Sequence, residues 1–169
     1  MKPLNTWSSC LDEIGLDDNT AYLTPLLSAI PLTEALQAWH ADFTVEVLHL
    51  GESLVWGDEQ HLMATDSGFA REVLLRLNQH NVVWARSVCE ADAFKWQEIV
   101  RCGNQPLGLR LYQLPLERSE FEYARLSPEH PANPSDQTII SRRSSFALPD
   151  GSKLLLTESF LPDLKHYEP

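Results

Sequence analysis

From residue 43 onward the sequence repeats one pattern, in which a run of alternating apolar and polar residues is followed by turn-forming residues. The runs "FAREVLLRL" and "VVWARSVCE" flank "NQHN", and "TIISRRSSFAL" and "KLLLTESFL" flank "PDG", in which proline fixes φ and glycine allows positive φ. "FTVEVLHLG", "SLVWG" and "FEYARL" have the same strand-like composition. Because strands joined by short turns pair antiparallel, the pattern predicts a mostly antiparallel sheet built from hairpins.

Two segments have helical spacing instead. "LTEALQAWHA" follows Pro31, with Thr33 as a candidate N-cap, and "ADAFKWQEIVRCG" ends at Gly103, a usual helix stop. Hairpins combined with a few helices predict an α+β fold in which helices cover the sheet. The proline-rich "SPEHPANPSD" is interpreted as a surface loop because too little chain follows it for a second domain. We therefore expect residues 1–169 to form one domain.

Charge and cysteine content restrict the partners and the compartment. The formal net charge of −11 argues against nucleic acid, which is bound by Lys and Arg, and against an anionic membrane surface. No apolar run reaches the roughly 20 residues of a membrane-spanning helix, and the first residues lack the apolar core of a signal peptide. The three cysteines contain no C-x-x-C pair, which suits a reducing compartment. We expect a cytoplasmic protein without membrane insertion and without a nucleic acid partner.

The sequence lacks the usual motifs for metals and nucleotide cofactors. The best metal-like cluster, "GDEQH" with Asp58, Glu59 and His61, is interpreted as a solvated turn, since its spacing matches no common ligand pattern. G-x-G-x-x-G, a Walker loop and G-x-S-x-G are also missing. We expect no metal and no cofactor.

Charged residues interrupt the apolar faces of three predicted strands. Side chains alternate along a strand, so Glu158 shares its face with leucines and a phenylalanine, and Arg71 and Arg86 likewise lie among large apolar residues. If "NQHN" is a four-residue loop with Leu77 opposite Val82, the two arginines are diagonal neighbours on one face, about 7 to 8 Å apart at Cβ. That arrangement suits a ligand that carries two carboxylates.

The carboxyl-terminal hairpin determines which arginine lies opposite Glu158. A "PDG" loop flanked by Leu148 and Ser152 places Arg142 there, whereas a two-residue Asp-Gly turn places Arg143 there. A single charged residue on a strand is usually exposed, but three on the inward faces of neighbouring hairpins are costly to bury without a function. They predict a buried pocket for a small organic anion.

These residues resemble a known family. "FAREVLL", "ARSV", "QPLG", "RRS" and "KLLLTESFLP" have the order and spacing found in chorismate pyruvate-lyases, from about residue 31 to residue 162, and the closing L-L-L-T-E-x-F-L-P is the most specific segment. The resemblance implies a single-domain antiparallel sheet with helices, an internal site under mobile flaps and no cofactor. It also implies conversion of chorismate to 4-hydroxybenzoate and pyruvate, the first committed step of ubiquinone biosynthesis, by a protein that we expect to be a monomer.

The resemblance also assigns roles to residues. Arg71 matches the arginine that holds the ring carboxylate, helped by the backbone amides of Leu32 and Leu107. Glu158 matches the acid at the oxygen-bearing end of the ring, and Arg86 matches a catalytic arginine that receives the enolpyruvyl carboxylate. The protonation role of Glu158 and the roles of Arg142 and Arg143 stay open.

Two other functions stay open on the same residues. A small-molecule sensor is one, because the fold recurs in the effector domains of HutC-like regulators. A structural domain is the other, and it would require the three charged residues to face solvent. A one-residue shift in the "NQHN" hairpin would move Arg71 and Arg86 to opposite faces and favour a structural role.

Overall fold

The computed structural model describes residues 7–169. One antiparallel sheet contains β1 Phe43–Leu54, β2 Ser67–Leu77, β3 His80–Glu90, β4 Glu117–Arg118, β5 Glu122–Leu126, β6 Ile139–Ala147 and β7 Lys153–Phe160. The α-helices of this region are α1 Thr24–Leu27, α2 Leu32–Trp39, α3 Phe94–Val100 and α4 Leu107–Leu111. Short 3-10 helices span Leu11–Ile14, Ala21–Leu23, Gln60–Leu62 and Pro162–Tyr167.

The strand order is β1-β2-β3-β7-β6, with β4 and β5 both pairing along the far side of β6. Each of these pairs is antiparallel, and β2–β3 and β6–β7 are the two hairpins that the turn residues predict. The predicted α+β class with an antiparallel sheet is therefore confirmed. Strand β1 has no neighbour on its outer side among the described strands, so it forms an edge of the sheet.

The β2–β3 hairpin has a different register from the predicted one. Asn78 and Gln79 both have positive φ, 44° and 72°, which is typical of a two-residue type I′ turn, and Leu77 pairs with His80. A bulge then shifts the pairing, so that Arg71 lies opposite Ser87. The prediction of a four-residue loop is wrong. Because the register differs by one residue, the side chains of Arg71 and Arg86 lie on opposite faces of the sheet.

The β6–β7 hairpin has the register that a "PDG" loop predicts. The backbone N–H of Leu148 donates to the carbonyl of Ser152 at 3.0 Å, and the N–H of Gly151 donates back to the carbonyl of Leu148 at 2.9 Å. Arg142 therefore pairs with Glu158, as the first of the two alternatives requires.

Three elements differ from the sequence predictions. Strand β1 is continuous through Gly51 instead of two separate strands, because a bulge between Val47 and His49 absorbs the irregular stretch. Helix α2 begins after Pro31, but Thr33 is buried within its first turn and makes no capping hydrogen bond. Helix α4, only five residues long, is too short for its periodicity to be recognised in the sequence.

The helices cover one face of the sheet in two groups. Helices α1 and α2 pack on one half of this face, around Leu26, Leu36 and Phe160. Helices α3 and α4 pack on the other half, around Trp96 and Leu154. Loops at residues 55–66 and 127–138 cover the opposite face instead. No helix among the described residues has both the length and the apolar character needed to cross a membrane.

Candidate active site

A covered cavity lies between the two groups of helices and the central strands. Side chains of β2, β3, β6 and β7 form its floor, and the first turns of α2 and α4, together with Tyr112 and Phe121, form its cover. The pleat of the sheet sends every second side chain of each strand toward this space. The cavity is therefore lined by side chains from the same face of four strands.

The register arranges the floor in two rows that cross the sheet. The first row runs through Arg71, Ser87, Leu156 and Ser144. The second row, two residues further along each strand, runs through Val73, Ala85, Glu158 and Arg142. Neighbouring strands lie about 4.8 Å apart and alternate residues about 6.7 Å apart, so the Cα atoms of Arg71 and Glu158 are roughly 12 Å apart. Arg71 and Glu158 therefore lie in different rows and on strands that are not neighbours, toward different ends of the cavity.

Arg71 lies at one end of the cavity and is buried, with 3% of its surface exposed. Its Nη2 donates to the carbonyls of Gly103 at 3.0 Å and Gln105 at 2.9 Å. Its Nε is completely buried and has no hydrogen-bond acceptor among the described residues. Burial lowers the pKa of Arg71, because desolvation disfavours the charged form. An anionic ligand would supply the missing acceptor and favour the charged guanidinium.

The other buried arginines of residues 7–169 have carboxylate partners, which Arg71 lacks. Arg86 pairs with Glu59 at 2.9 Å, and Arg143 pairs with Glu122 at 3.0 Å. Arg142 pairs with Glu158, which completes the set. Since leaving a buried charge unpaired is costly, the unpaired arginine that faces a cavity is the one expected to bind an anion.

Glu158 lies toward the other end of the cavity and is 8% exposed. Its Oε1 accepts a hydrogen bond from Nε of Arg142 at 2.9 Å, whereas no described residue donates to its Oε2. The guanidinium of Arg142 lies 4.2 Å from the centre of the Phe121 ring, and its Nη1 donates to carbonyls of the chain before α2. Glu158 is thus held by one oxygen and keeps one acceptor for a ligand.

Leu32 and Leu107 are the first residues of α2 and α4, and both line the cavity. The first N–H groups of a helix have no acceptor within the helix. A Cβ added to Gly108 would lie 3.9 Å from Pro31, so the first turns of the two helices lie side by side. Two backbone N–H groups are therefore available on the cover of the cavity.

Arg86 does not line this cavity, so the assignment of a ligand carboxylate to it does not fit the structure. It is 0% exposed on the opposite face of the sheet and lies 3.8 Å from the centre of the Trp56 ring. Each of its guanidinium nitrogens donates to the protein, and the acceptors are Glu59, Glu72, Ser53 and the carbonyl of Leu54. No N–H group is left for a ligand.

The "GDEQH" turn is built around this arginine. Glu59 is 2% exposed and holds Arg86 through both carboxylate oxygens, at 2.9 Å each, so its interpretation as a solvated residue is wrong. Asp58 accepts hydrogen bonds from Trp7 and His130. Within residues 7–169, no group of three or more His, Cys, Asp or Glu side chains is placed to hold a metal ion.

Sequence reasoning missed Ser87 and Ser144, buried floor residues of the Arg71 row. Ser87 follows Arg86 directly and takes the inward position that the predicted register gave to the arginine. The signal was available in Asn78, since asparagine tolerates positive φ and favours a two-residue turn.

A model of the chorismate lyase family matches residues 12–168. This chain belongs to the chorismate lyase family. A probable chorismate pyruvate-lyase of Nitrosomonas europaea is 31% identical over 150 residues, which cover 79% of this chain and 83% of the relative. Another from Methylococcus capsulatus is 35% identical over 144 residues, which cover 78% of this chain and 88% of that relative. The resemblance recognised in the closing segment is confirmed.

A solved structure with little sequence similarity to this chorismate lyase family member has a similar fold. The crystal structure of PhnF from Mycobacterium smegmatis superposes with a TM-score of 0.55 over 81% of this chain and 66% of that one, at 10% sequence identity. At that identity the similarity concerns the fold alone.

Proposed function

We propose that the protein is a chorismate pyruvate-lyase, which converts chorismate to 4-hydroxybenzoate and pyruvate as the first committed step of ubiquinone biosynthesis. Family membership over nearly the whole chain supports the reaction. The observation that carries the proposal is Arg71, a buried arginine without a carboxylate partner, which faces Glu158 across a covered cavity. The reaction involves no net oxidation, and the proposed mechanism uses only side chains and backbone groups of this chain.

Arg71 binds the ring carboxylate through its free N–H groups, in the charge-assisted geometry that guanidinium and carboxylate prefer. The backbone amides of Leu32 and Leu107 donate to the same carboxylate from the cover. Apolar floor residues such as Val73 and Ala85 contact the ring. With its carboxylate at Arg71, the ring directs its hydroxyl-bearing carbon toward Glu158.

The reaction is an elimination that makes the ring aromatic. The bond between the ring and the enolpyruvyl oxygen breaks, its electron pair leaves with enolpyruvate, and the hydroxyl-bearing carbon loses its proton. Enolpyruvate then takes up a proton to become pyruvate, so the two products contain all the atoms of chorismate. Glu158 acts on the proton at the hydroxyl end, and the cover keeps water away from the ring. Since aromatisation supplies driving force, orientation is the main task of the protein.

The first prediction concerns Arg71. Purified protein, without added metal, should release pyruvate and 4-hydroxybenzoate from chorismate in equal amounts, measured by coupled lactate dehydrogenase and by chromatography. Arg71→Ala should lower kcat/KM by about 1,000-fold or more, because the ring carboxylate loses its cation. Arg76→Ala removes a partly exposed arginine of the same strand and is the matched control, expected to stay near wild type. Absence of turnover by the wild-type protein would overturn the proposal.

A stand-alone binding protein with the same fold gives a different result in this assay. It would bind 4-hydroxybenzoate, detected by calorimetry, and would leave chorismate unchanged. We also propose that residues 1–169 act as one domain and as a cytoplasmic monomer. Light scattering after size-exclusion chromatography should then give a mass near the 19.2 kDa of one chain.

A further inference from the structure

Chorismate carries two carboxylates, and Arg71 accounts for one of them. Arg86 lies on the other face of the sheet with each of its guanidinium nitrogens engaged by the protein, so the second carboxylate needs another partner. We propose that Arg142 binds the enolpyruvyl carboxylate through Nη2 while its Nε positions Glu158. This inference rests on the proposed function and names the residue that recognises the departing group.

The described lining of the cavity contains two cationic side chains, Arg71 and Arg142. With Glu158, they give the site one formal positive charge in excess. A ligand with two carboxylates brings two negative charges, so a site with only one arginine would leave the departing carboxylate beside Glu158 without a cation. Like charges at that distance repel, which would weaken binding of the substrate.

The hydrogen bonds of Arg142 leave one nitrogen free. Nε donates to Glu158 at 2.9 Å, and Nη1 donates to the carbonyls of Leu26 at 2.9 Å, Leu27 at 3.2 Å and Ala29 at 2.9 Å. No described residue accepts a hydrogen bond from Nη2, although Arg142 is only 2% exposed. A buried guanidinium with two unused N–H groups on a cavity wall is suited to an anion.

The position of Arg142 in the floor fits the chemistry of the substrate. It pairs directly with Glu158 on the neighbouring strand. In chorismate the enolpyruvyl group is attached to the ring carbon next to the hydroxyl-bearing carbon, so the leaving group and the hydroxyl lie at the same end. When the ether bond breaks, negative charge develops on enolpyruvate, and a fixed cation beside it stabilises that charge.

Arg142 is also fixed in place before a ligand arrives. Three backbone carbonyls and the face of Phe121 hold the guanidinium, so little side-chain freedom is lost on binding. The carbonyls belong to the segment that leads into α2, whose first residue, Leu32, covers the cavity. Arg142 thereby connects Glu158, the cover and the proposed binding site of the leaving group.

Paired variants separate this role from a purely structural one. Arg142→Gln removes the charge, and Arg143→Gln is the matched control, because Arg143 is also a buried arginine of β6 but is excluded from the cavity lining. Arg142→Gln should lower kcat/KM for chorismate by about 100-fold or more. The same variant should lose much less affinity for 4-hydroxybenzoate, which has no second carboxylate. The factor by which this affinity falls should be at least about tenfold smaller than the factor by which kcat/KM for chorismate falls. Arg142→Lys should recover part of the loss, and Arg143→Gln should keep most of the activity.

A measurement on the wild-type protein makes the test independent of variant folding. The stable dicarboxylate 3-(carboxymethoxy)-4-hydroxybenzoate should inhibit more strongly than its methyl ester at the side-chain carboxyl, by about tenfold. Equal inhibition by the acid and the ester would overturn the inference while leaving the lyase activity intact. Equal losses for chorismate and 4-hydroxybenzoate in Arg142→Gln would overturn it as well. If the wild-type protein released no pyruvate, the proposed function itself would fail.

Discussion

At the scale of single residues, the molecule contains buried arginines of two kinds. Arg86 and Arg143 are paired with carboxylates away from the cavity and tie segments of the chain together. Arg71 and Arg142 line the cavity and keep N–H groups unused. The distinction depends on position relative to the cavity and not on burial, since each of these residues is at most 5% exposed. An unused donor on the wall of a cavity is thus a more informative marker of a ligand site than burial alone.

Glu158→Gln should separate binding from chemistry. Glutamine keeps the size of the side chain and can still accept a hydrogen bond, but it cannot take up a proton as a carboxylate can. We expect kcat to fall by about 100-fold while KM for chorismate changes little. Steady-state kinetics measures both quantities. A variant with normal kcat and a raised KM would show instead that Glu158 serves only in binding.

At the scale of elements, turns determine which face each side chain occupies. Alternation along β7 predicts that Glu158 faces inward, whereas the "PDG" sequence leaves Arg142 and Arg143 as alternatives opposite it, and the structure selects Arg142. The face that Arg86 occupies could not be predicted in this way. It depends on a one-residue difference in register, which the φ values of Asn78 and Gln79 and a bulge determine and which no hydrophobic pattern encodes. Helix α4 could not be predicted because five residues are too few to show a helical period.

The loop at residues 55–66 offers a test of this element-scale role. Glu59→Ala leaves Arg86 charged and buried without its main partner, so the free energy of unfolding should fall by about 3 to 5 kcal/mol. Glu46→Ala removes a carboxylate that is 52% exposed and 3.8 Å from Arg76, and it should change stability by less than about 1 kcal/mol. Urea unfolding followed by tryptophan fluorescence measures both. Equal effects of the two substitutions would contradict the structural role of Arg86.

At the scale of the whole molecule, one cluster joins three distant parts of the chain on the face opposite the cavity. Asp58 accepts hydrogen bonds from Trp7 at 3.0 Å and from His130 at 2.9 Å, while its carbonyl accepts from Arg143 at 2.7 Å. Nδ1 of His130 accepts from the backbone N–H of Ala132, so Nε2 is the nitrogen that donates to Asp58. Burial alone would raise the pKa of Asp58, but these hydrogen bonds and the nearby cations outweigh it and lower the pKa to about 2.

This cluster should weaken in acid. A carboxyl with a lowered pKa in the folded state stabilises the fold above its unfolded value of 3.8, and that stability is lost as the pH falls toward about 2. Thermal unfolding in dilute solution between pH 4 and pH 2 should therefore show a smaller decrease of Tm for Asp58→Asn than for the wild type. Asp136→Asn, at an exposed position of the neighbouring loop, should follow the wild type. Identical slopes for all three proteins would contradict the assignment.

The unpaired edge of the sheet has a practical consequence. Strand β1 is 12 residues long, and its Leu48 and Leu54 are 49% and 71% exposed. An open edge of this length is a template on which a second copy can add its own strand. At neutral pH the net charge of −11 makes copies repel one another, but this repulsion vanishes near the isoelectric point of about 4.8. Solubility should therefore be lowest near the isoelectric point, just above the acid range in which the fold is destabilised. Kinetic measurements should be made at neutral pH or above.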